Sequence, residues 1–273
     1  MWPHGRPGEH GVGVATFAFQ DLFGSLQRLP LAARLALDDI EGKYRRTVLG
    51  PLWIAIAQAL MIGGFVLVFS GLFGVPVDEY AIYLAAGFPV WAMLASFLTE
   101  MPNTFIAARG VIESYELPWL THIWRRSISY LLIFAHQIMT LAVVMAILGV
   151  APSINTLFAI PALVLVLIAA TGVGLFLAVV GARYRDLQPA LQIVTSFLFL
   201  FTPVIWQADR LRENAWVVDY NPLHYLVELV RGPLMGQAPD SNTWLWVSIG
   251  AGASFVLGFG AFMLARRRLY HWL

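Results

Sequence analysis

Side chains able to do chemistry are scarce in this 273-residue chain, and they are scattered. Hydrolysis or group transfer needs a nucleophile beside a base, a carboxylate pair, or a metal held by clustered ligands. The spacings that build such centres do not occur. There is no G-x-S-x-G, no H-E-x-x-H and no G-x-x-x-x-G-K-[ST]; Gly42-Lys43-Tyr44 matches the last at two positions only. Cysteine is absent, which excludes disulfides, thiol catalysis and thiolate-held metal. The polar side chains inside apolar stretches are Gln58, His136, Gln137 and Gln192, with Glu100 at the end of one such stretch. Ion-coupled carriers bury titrating groups to bind the coupling ion. Only His136 lies at mid-depth, and a neutral imidazole bonded between helices is the plainer reading of it. Neither an enzyme nor an ion-coupled carrier is expected, and no metal or cofactor is expected on this chain.

The elements that carry these residues follow from where charge is missing. Hydrophobic residues make up 59% and charged residues 12%, against about 25% charge in a typical soluble domain. Mean hydropathy is +0.72. Such a chain cannot clothe a water-soluble globule, and a net charge of +1 does not suit a nucleic-acid binder. Charge-free gaps run for 31 residues after Arg46, 20 after Glu79, 56 after Arg126, 22 after Asp186 and 25 after Asp240. A helix crosses the roughly 30 Å hydrocarbon layer with about 20 apolar residues. The longest gap would reach roughly 84 Å as one helix at about 1.5 Å per residue, so it folds back. Its one strong break is Gly149 to Asn155. The expected fold is an all-α polytopic membrane protein with six spans, at about 51–73, 81–100, 128–148, 157–181, 189–206 and 244–265. Dyad alternation, the mark of a membrane β-barrel, is missing. Of the 17 Lys and Arg, 14 fall on one side of this topology and Arg210, Arg212 and Arg231 on the other. That bias places both termini in the cytoplasm.

Outside the spans, residues 1–20 read as a poorly ordered tail without the continuous apolar core of a cleavable signal. Residues 21–46 read as an amphipathic helix in the cytoplasmic interface, with Pro30 in the first turn of a second short helix. The loop from about Pro102 to Ser127 mixes acids, aromatics and Pro118 between Arg109 and Arg125-Arg126. That composition suits either a docking surface or a solvated connector. The outer connection, 207–243, carries a helix opening at Asn221-Pro222 and closing at Gly232-Pro233. It is long enough to dip back as short re-entrant helices.

At Lys43-Tyr44-Arg45-Arg46-Thr47-Val48-Leu49-Gly50-Pro51-Leu52-Trp53 the sequence resembles the type-2 ABC exporter permeases, especially those exporting O-antigen and related polysaccharides. The likeness continues in order through Glu116-Leu117-Pro118, Arg183-Tyr184-Arg185-Asp186-Leu187, Asn221-Pro222-Leu223 and Val230-Arg231-Gly232-Pro233-Leu234. It implies a homodimeric permease of the cytoplasmic membrane working with two copies of a separate ATPase subunit, which holds the ATP and Mg. It also implies an interface helix, a coupling helix after span 2 and gate helices before span 6. The implied cargo is a polysaccharide on a polyprenyl diphosphate lipid. A teichoic-acid-like polymer, a capsule or a drug on the same fold, and a stand-alone channel or carrier, stay as alternatives.

On this reading Ile112, Glu113, Ser114, Tyr115, Glu116, Leu117 and Pro118 couple to the ATPase. Tyr44, Arg45 and Arg46 receive the lipid diphosphate through charge-assisted bonds, or simply obey the positive-inside rule. Trp53, Gln58, His136, Trp206, Tyr220, Asn221, Glu228 and Arg231 line the pathway or its gate. Trp53, Trp91, Trp206 and Tyr220 offer flat faces to sugar rings, or anchor the interface as aromatics near span ends do.

Overall fold

Backbone amides in hydrocarbon find no water, so apolar runs satisfy them internally as helices. The computed structural model describes residues 14–115, 117–211, 215–238 and 240–273, and among these the chain forms helices and no strand. In order they are α1 (Val14–Gln27), α2 (Leu29–Tyr44), α3 (Leu52–Phe73), α4 (Val77–Glu100), α5 (Thr104–Ala107), α6 (Arg109–Ser114) and α7 (Leu120–Gln137). There follow α8 (Met139–Leu148), α9 (Ala159–Arg183), α10 (Leu187–Phe201), α11 (Trp216–Asp219), α12 (Pro222–Leu234) and α13 (Ser241–Trp272).

Among the described residues, five stretches are long and apolar enough to cross a membrane: Leu52–Phe73, Val77–Ser114, Leu120–Leu148, Ile154–Arg183 and Ser241–Trp272. The stretch read as a span over 189–206 instead gives the 15-residue α10. At about 1.5 Å per residue it is roughly 22 Å long, short of the hydrocarbon layer. Pro203 is the cause. The residue before a proline is pushed out of the helical region, and Thr202 is extended at φ −95°, ψ 129°.

Other boundaries differ from the sequence reading as well. Helix α1 begins at Val14, so 14–20 are helical rather than unordered; the tail's first 13 residues lie outside the described residues. The second short helix expected at Pro30 is α2, which carries Pro30 in its first turn and parts from α1 at Arg28. The third membrane helix starts at Leu120 rather than 128, and much of 102–114 is helical. Gly232-Pro233 does not end its helix, because α12 runs on to Leu234 with Pro233 in its last turn.

One apolar core runs through the bundle, including Phe97, Phe105, Leu120, Ile123 and Phe262; a second joins Ile62, Val66, Tyr80, Leu84 and Leu141. Lipid tails are as apolar as leucine, so helices in them associate by close packing of small residues. The α9–α13 crossing is built that way. A Cβ on Gly258 would stand 2.2 Å from the Gly172 carbonyl oxygen, and one on Gly172 2.5 Å from the Phe255 nitrogen. There Ser254 Oγ donates to the Ala169 carbonyl at 3.2 Å. Large apolar side chains such as Leu67, Leu257 and Leu264 remain on the outside, a surface suited to acyl chains.

Candidate functional site

Three groups of polar residues stand out. The first is at the basic end of the bundle, around α6 and the start of α7. Within α6, Arg109 Nε donates to Glu113 Oε1 at 2.7 Å, one turn on. Arg109 also donates to the Leu273 carbonyl on α13's last turn. Ile112 rests half-buried on the core, Ser114 is exposed and Tyr115 is 66% exposed. Leu117 is half-buried and Pro118 buried; Glu116 lies outside the described residues. The exposed face of this segment is thus Glu113 and Ser114 at the end of α6 and Tyr115 just after it, and the helix's other side is held.

The start of α7 has no side-chain cap of its own. The cap comes from α1: the buried Asp21 Oδ1 accepts from the Leu120 N–H at 3.0 Å. Its Oδ2 accepts from Arg266 Nε of α13 at 3.1 Å, and the Arg266 guanidinium lies 4.9 Å above the Trp119 ring. Burial pushes the Asp21 carboxyl up from its ordinary range; the Arg266 charge and the backbone donors at Leu120 and Trp119 oppose that push. Nearby, Trp124 Nε1 donates to Ser25 Oγ at 2.9 Å, and Arg125 forks onto Asp39, with Nε to Oδ2 at 2.8 Å. The two N-terminal helices are therefore riveted to α7 directly after residues 112–118.

The second group is the α2–α3 turn. Arg45 and Arg46 are exposed there and Tyr44 half-buried. No carboxylate pairs with either arginine among the described residues. Arg46 sits at φ +68°, a left-handed conformation that costs a non-glycine residue about 1 kcal/mol. Thr47 Oγ1 donates to the Tyr44 carbonyl at 2.8 Å and fixes the turn. Val48 is 99% exposed, and Leu52 and Trp53 are exposed beside it. The turn presents two cations above an apolar shoulder.

The third group is at the opposite end, where α12 meets α4. The Arg231 side chain is 3% exposed. Its Nε donates to Glu228 Oε2 at 2.9 Å, its Nη2 reaches the same carboxylate, and its Nη1 donates to the Pro203 carbonyl at 2.8 Å. The guanidinium lies 4.1 Å from the centre of the Tyr83 ring. Gly87 leaves room for it, since a Cβ there would meet Arg231 Cδ at 3.0 Å. The Tyr83 hydroxyl is within reach of the Pro203 carbonyl (2.9 Å) and the Trp206 carbonyl (2.7 Å). Tyr80 donates to the Ile205 carbonyl at 2.5 Å. Trp206 Nε1 donates to the Leu200 carbonyl at 3.0 Å. Asn221 caps α12 by accepting from the Leu223 N–H at 3.0 Å and ties it to α10 by donating to Thr202 Oγ1 at 2.9 Å.

Trp206, Asn221, Glu228 and Arg231 are thus gathered into one latch, with Tyr220 beside it at 85% exposure. Trp53, Gln58 and His136 do not join it. Gln58 is buried with no partner for Nε2. His136 Nδ1 is 2.7 Å from the Leu132 carbonyl of its own helix, so it does not bridge helices. Tyr80 and Tyr83 escaped the sequence reading, although two tyrosines three apart at a span's end were the available signal. Asp21 and Asp39 escaped it too, having been read only as the polar side of an amphipathic segment, and Ser25 was not singled out. Among the described residues, no three His, Asp or Glu lie close enough to hold a metal.

These observations define a class: a multi-pass helical membrane protein whose polar residues fasten helices together. The profile of the ABC-2 type transporter family matches residues 35–235, and the chain belongs to that family. Its relatives include two O-antigen export system permease proteins RfbA of Klebsiella pneumoniae. One is 24% identical over 195 residues, 69% of this chain and 74% of the relative. The other is 25% identical over 198 residues, with the same shares. The polysialic acid transport protein KpsM of Escherichia coli is 22% identical over 209 residues, 74% of this chain and 80% of its own length.

Proposed function

We propose that this chain is the permease subunit of an ATP-driven exporter that moves a lipid-linked, O-antigen-like polysaccharide from the cytoplasmic to the outer leaflet of the cytoplasmic membrane. The observation that carries this reading is the kinship with O-antigen export permeases over about seven-tenths of the chain. Similarity to a polysialic acid transport protein favours a capsule-like polymer as the second cargo. Two copies of the chain flank the pathway, each with six crossings, the short α10 with its extension to Trp206 being the fifth. Both termini face the cytoplasm, where 14 of the 17 Lys and Arg then lie. Two ATPase subunits engage the exposed Glu113, Ser114 and Tyr115. Their ATP-driven closure displaces the docking segment, and packed helices move as rigid bodies around the pathway.

Arg45 and Arg46 receive the diphosphate. Two exposed guanidiniums on a strained turn match a diphosphate's paired anionic oxygens through charge-assisted bonds. Reversing both charges (Arg45→Glu with Arg46→Glu) is expected to cut surface polysaccharide by about tenfold or more, since each lost charge-assisted bond is worth about 1.5–3 kcal/mol. Membrane insertion and co-purification of the ATPase should persist. Parental export from the double variant would remove the headgroup role.

A further inference from the structure

We infer that the Asp21–Arg266 pair is the joint through which motion of the docking segment reaches both the N-terminal helices and the last membrane helix. The inference rests on the reading of 112–118 as that segment. Two positioning residues are assigned, neither of which touches cargo or nucleotide.

The argument begins with an oddity of cost. A buried ion pair seldom stabilises more than well-packed apolar side chains of the same volume, because desolvation offsets the attraction. Its distinctive property is directional: each charge must keep its partner, so the elements carrying the charges keep their register. Here three helices meet at one carboxylate. Asp21 supplies α7 with the cap that α7 lacks, and a carboxylate at that end also meets the positive pole of the helix. The same carboxylate holds Arg266, and the Arg266 guanidinium is roofed by Trp119, the residue just before α7. Docking segment, α1 and α13 cannot part at this point without stranding a charge.

Around the joint, further contacts hold the end of α13. Arg109 of α6 donates to the Leu273 carbonyl, and the Arg183 guanidinium of α9 lies 5.5 Å from the Trp272 ring. Phe105 bridges Trp119 and Phe262, with ring centres 5.5 and 6.4 Å apart. Higher up, the Gly172–Gly258 crossing leaves no slack between α9 and α13. A displacement applied at Glu113–Tyr115 therefore enters α13 at Arg266 and passes to α9 through backbone contact.

The test uses the full chain in complex with its ATPase subunit. Asp21→Asn keeps an oxygen to accept from the Leu120 N–H but removes the charge that holds Arg266. Surface polysaccharide per ATP hydrolysed is expected to fall about tenfold, with co-purified ATPase kept within about twofold, the scale of a coupling interaction of this kind. The chain lacks cysteine, so within it spin labels attach only at Gln27→Cys and Ser114→Cys, on either side of the joint; dilution with unlabelled chain isolates the distance within one copy. Their distance distribution should be narrow in the parent and broad in Asp21→Asn. Should that variant fail to fold, Arg266→Lys keeps the charge but loses the flat face over Trp119, and a smaller fall with partial broadening is expected. Parental export per ATP with unchanged label distances in a folded variant overturns the joint. Loss of ATPase binding in Asp21→Asn also overturns it, because the pair would then serve docking itself. The docking reading fails separately, if replacing Glu113, Ser114 and Tyr115 with Ala leaves the ATPase bound.

Discussion

A guanidinium sunk to 3% exposure is costly unless its N–H groups find acceptors. Arg231 meets the condition with a carboxylate, a carbonyl and an aromatic face. Removing it takes a donor from the Pro203 carbonyl and leaves Glu228 without its cation. Arg231→Ala is expected to destabilise the protein in detergent by about 2–4 kcal/mol. Tyr83→Phe keeps the ring and loses one hydroxyl bond, so it should cost only about 1 kcal/mol. Denaturant unfolding of the two variants checks the order; equal losses would mean that Arg231 is not the centre of the latch. Glu228 and Arg231 were singled out in the sequence as pathway or gate residues; their pairing, three apart on one helix, was not read there. Tyr83 was not singled out, since a tyrosine near a span's end reads as an interface anchor. Nor was the joint: Asp21 lies 99 positions from Leu120 and 245 from Arg266. No local pattern announces a pair so far apart.

Helices were the most legible scale. Each charge-free gap became helical, the longest as α7, α8 and α9, because hydrocarbon allows an apolar run little else. The departures have local causes. Pro203 shortens α10. Helix α1 reaches back to Val14 because tertiary packing stabilises a segment whose own composition promises little: Phe19 packs on Phe259 of α13 with ring centres 5.3 Å apart, and Arg267 lies over Phe17. The α9–α13 crossing yields a sharp expectation. Gly258→Ala forces a methyl against the Gly172 carbonyl and should destabilise by about 1–3 kcal/mol, the usual range for overpacking. Gly260→Ala, two residues along the same helix with open space around its position, should be neutral or slightly stabilising through helix propensity. Thermal unfolding in detergent compares them. Equal behaviour of the two alanines would contradict the close crossing.

For the whole molecule, the two polar centres lie at opposite ends of an apolar body. At the basic end, ion pairs join the N-terminal helices to α7 and to the last helix, and Arg109 of α6 donates to the Leu273 carbonyl. At the other end, the latch on Arg231 holds the connection between α10 and α12 against α4. Between them the buried polar groups, such as Gln58 and Thr171, are neutral, which agrees with the proposal that the driving energy comes from a separate subunit. The exposed faces of α3 and α10 are apolar and suit lipid tails and a packed helix alike. An apolar face reads the same toward either.

The most direct test reconstitutes the chain in proteoliposomes with and without its ATPase subunit and follows a lipid-linked polysaccharide from one leaflet to the other. Movement that needs the second subunit and ATP, and that ignores an imposed proton or sodium gradient, is the expected result. Movement by the chain alone, driven by such a gradient without nucleotide, would contradict the account.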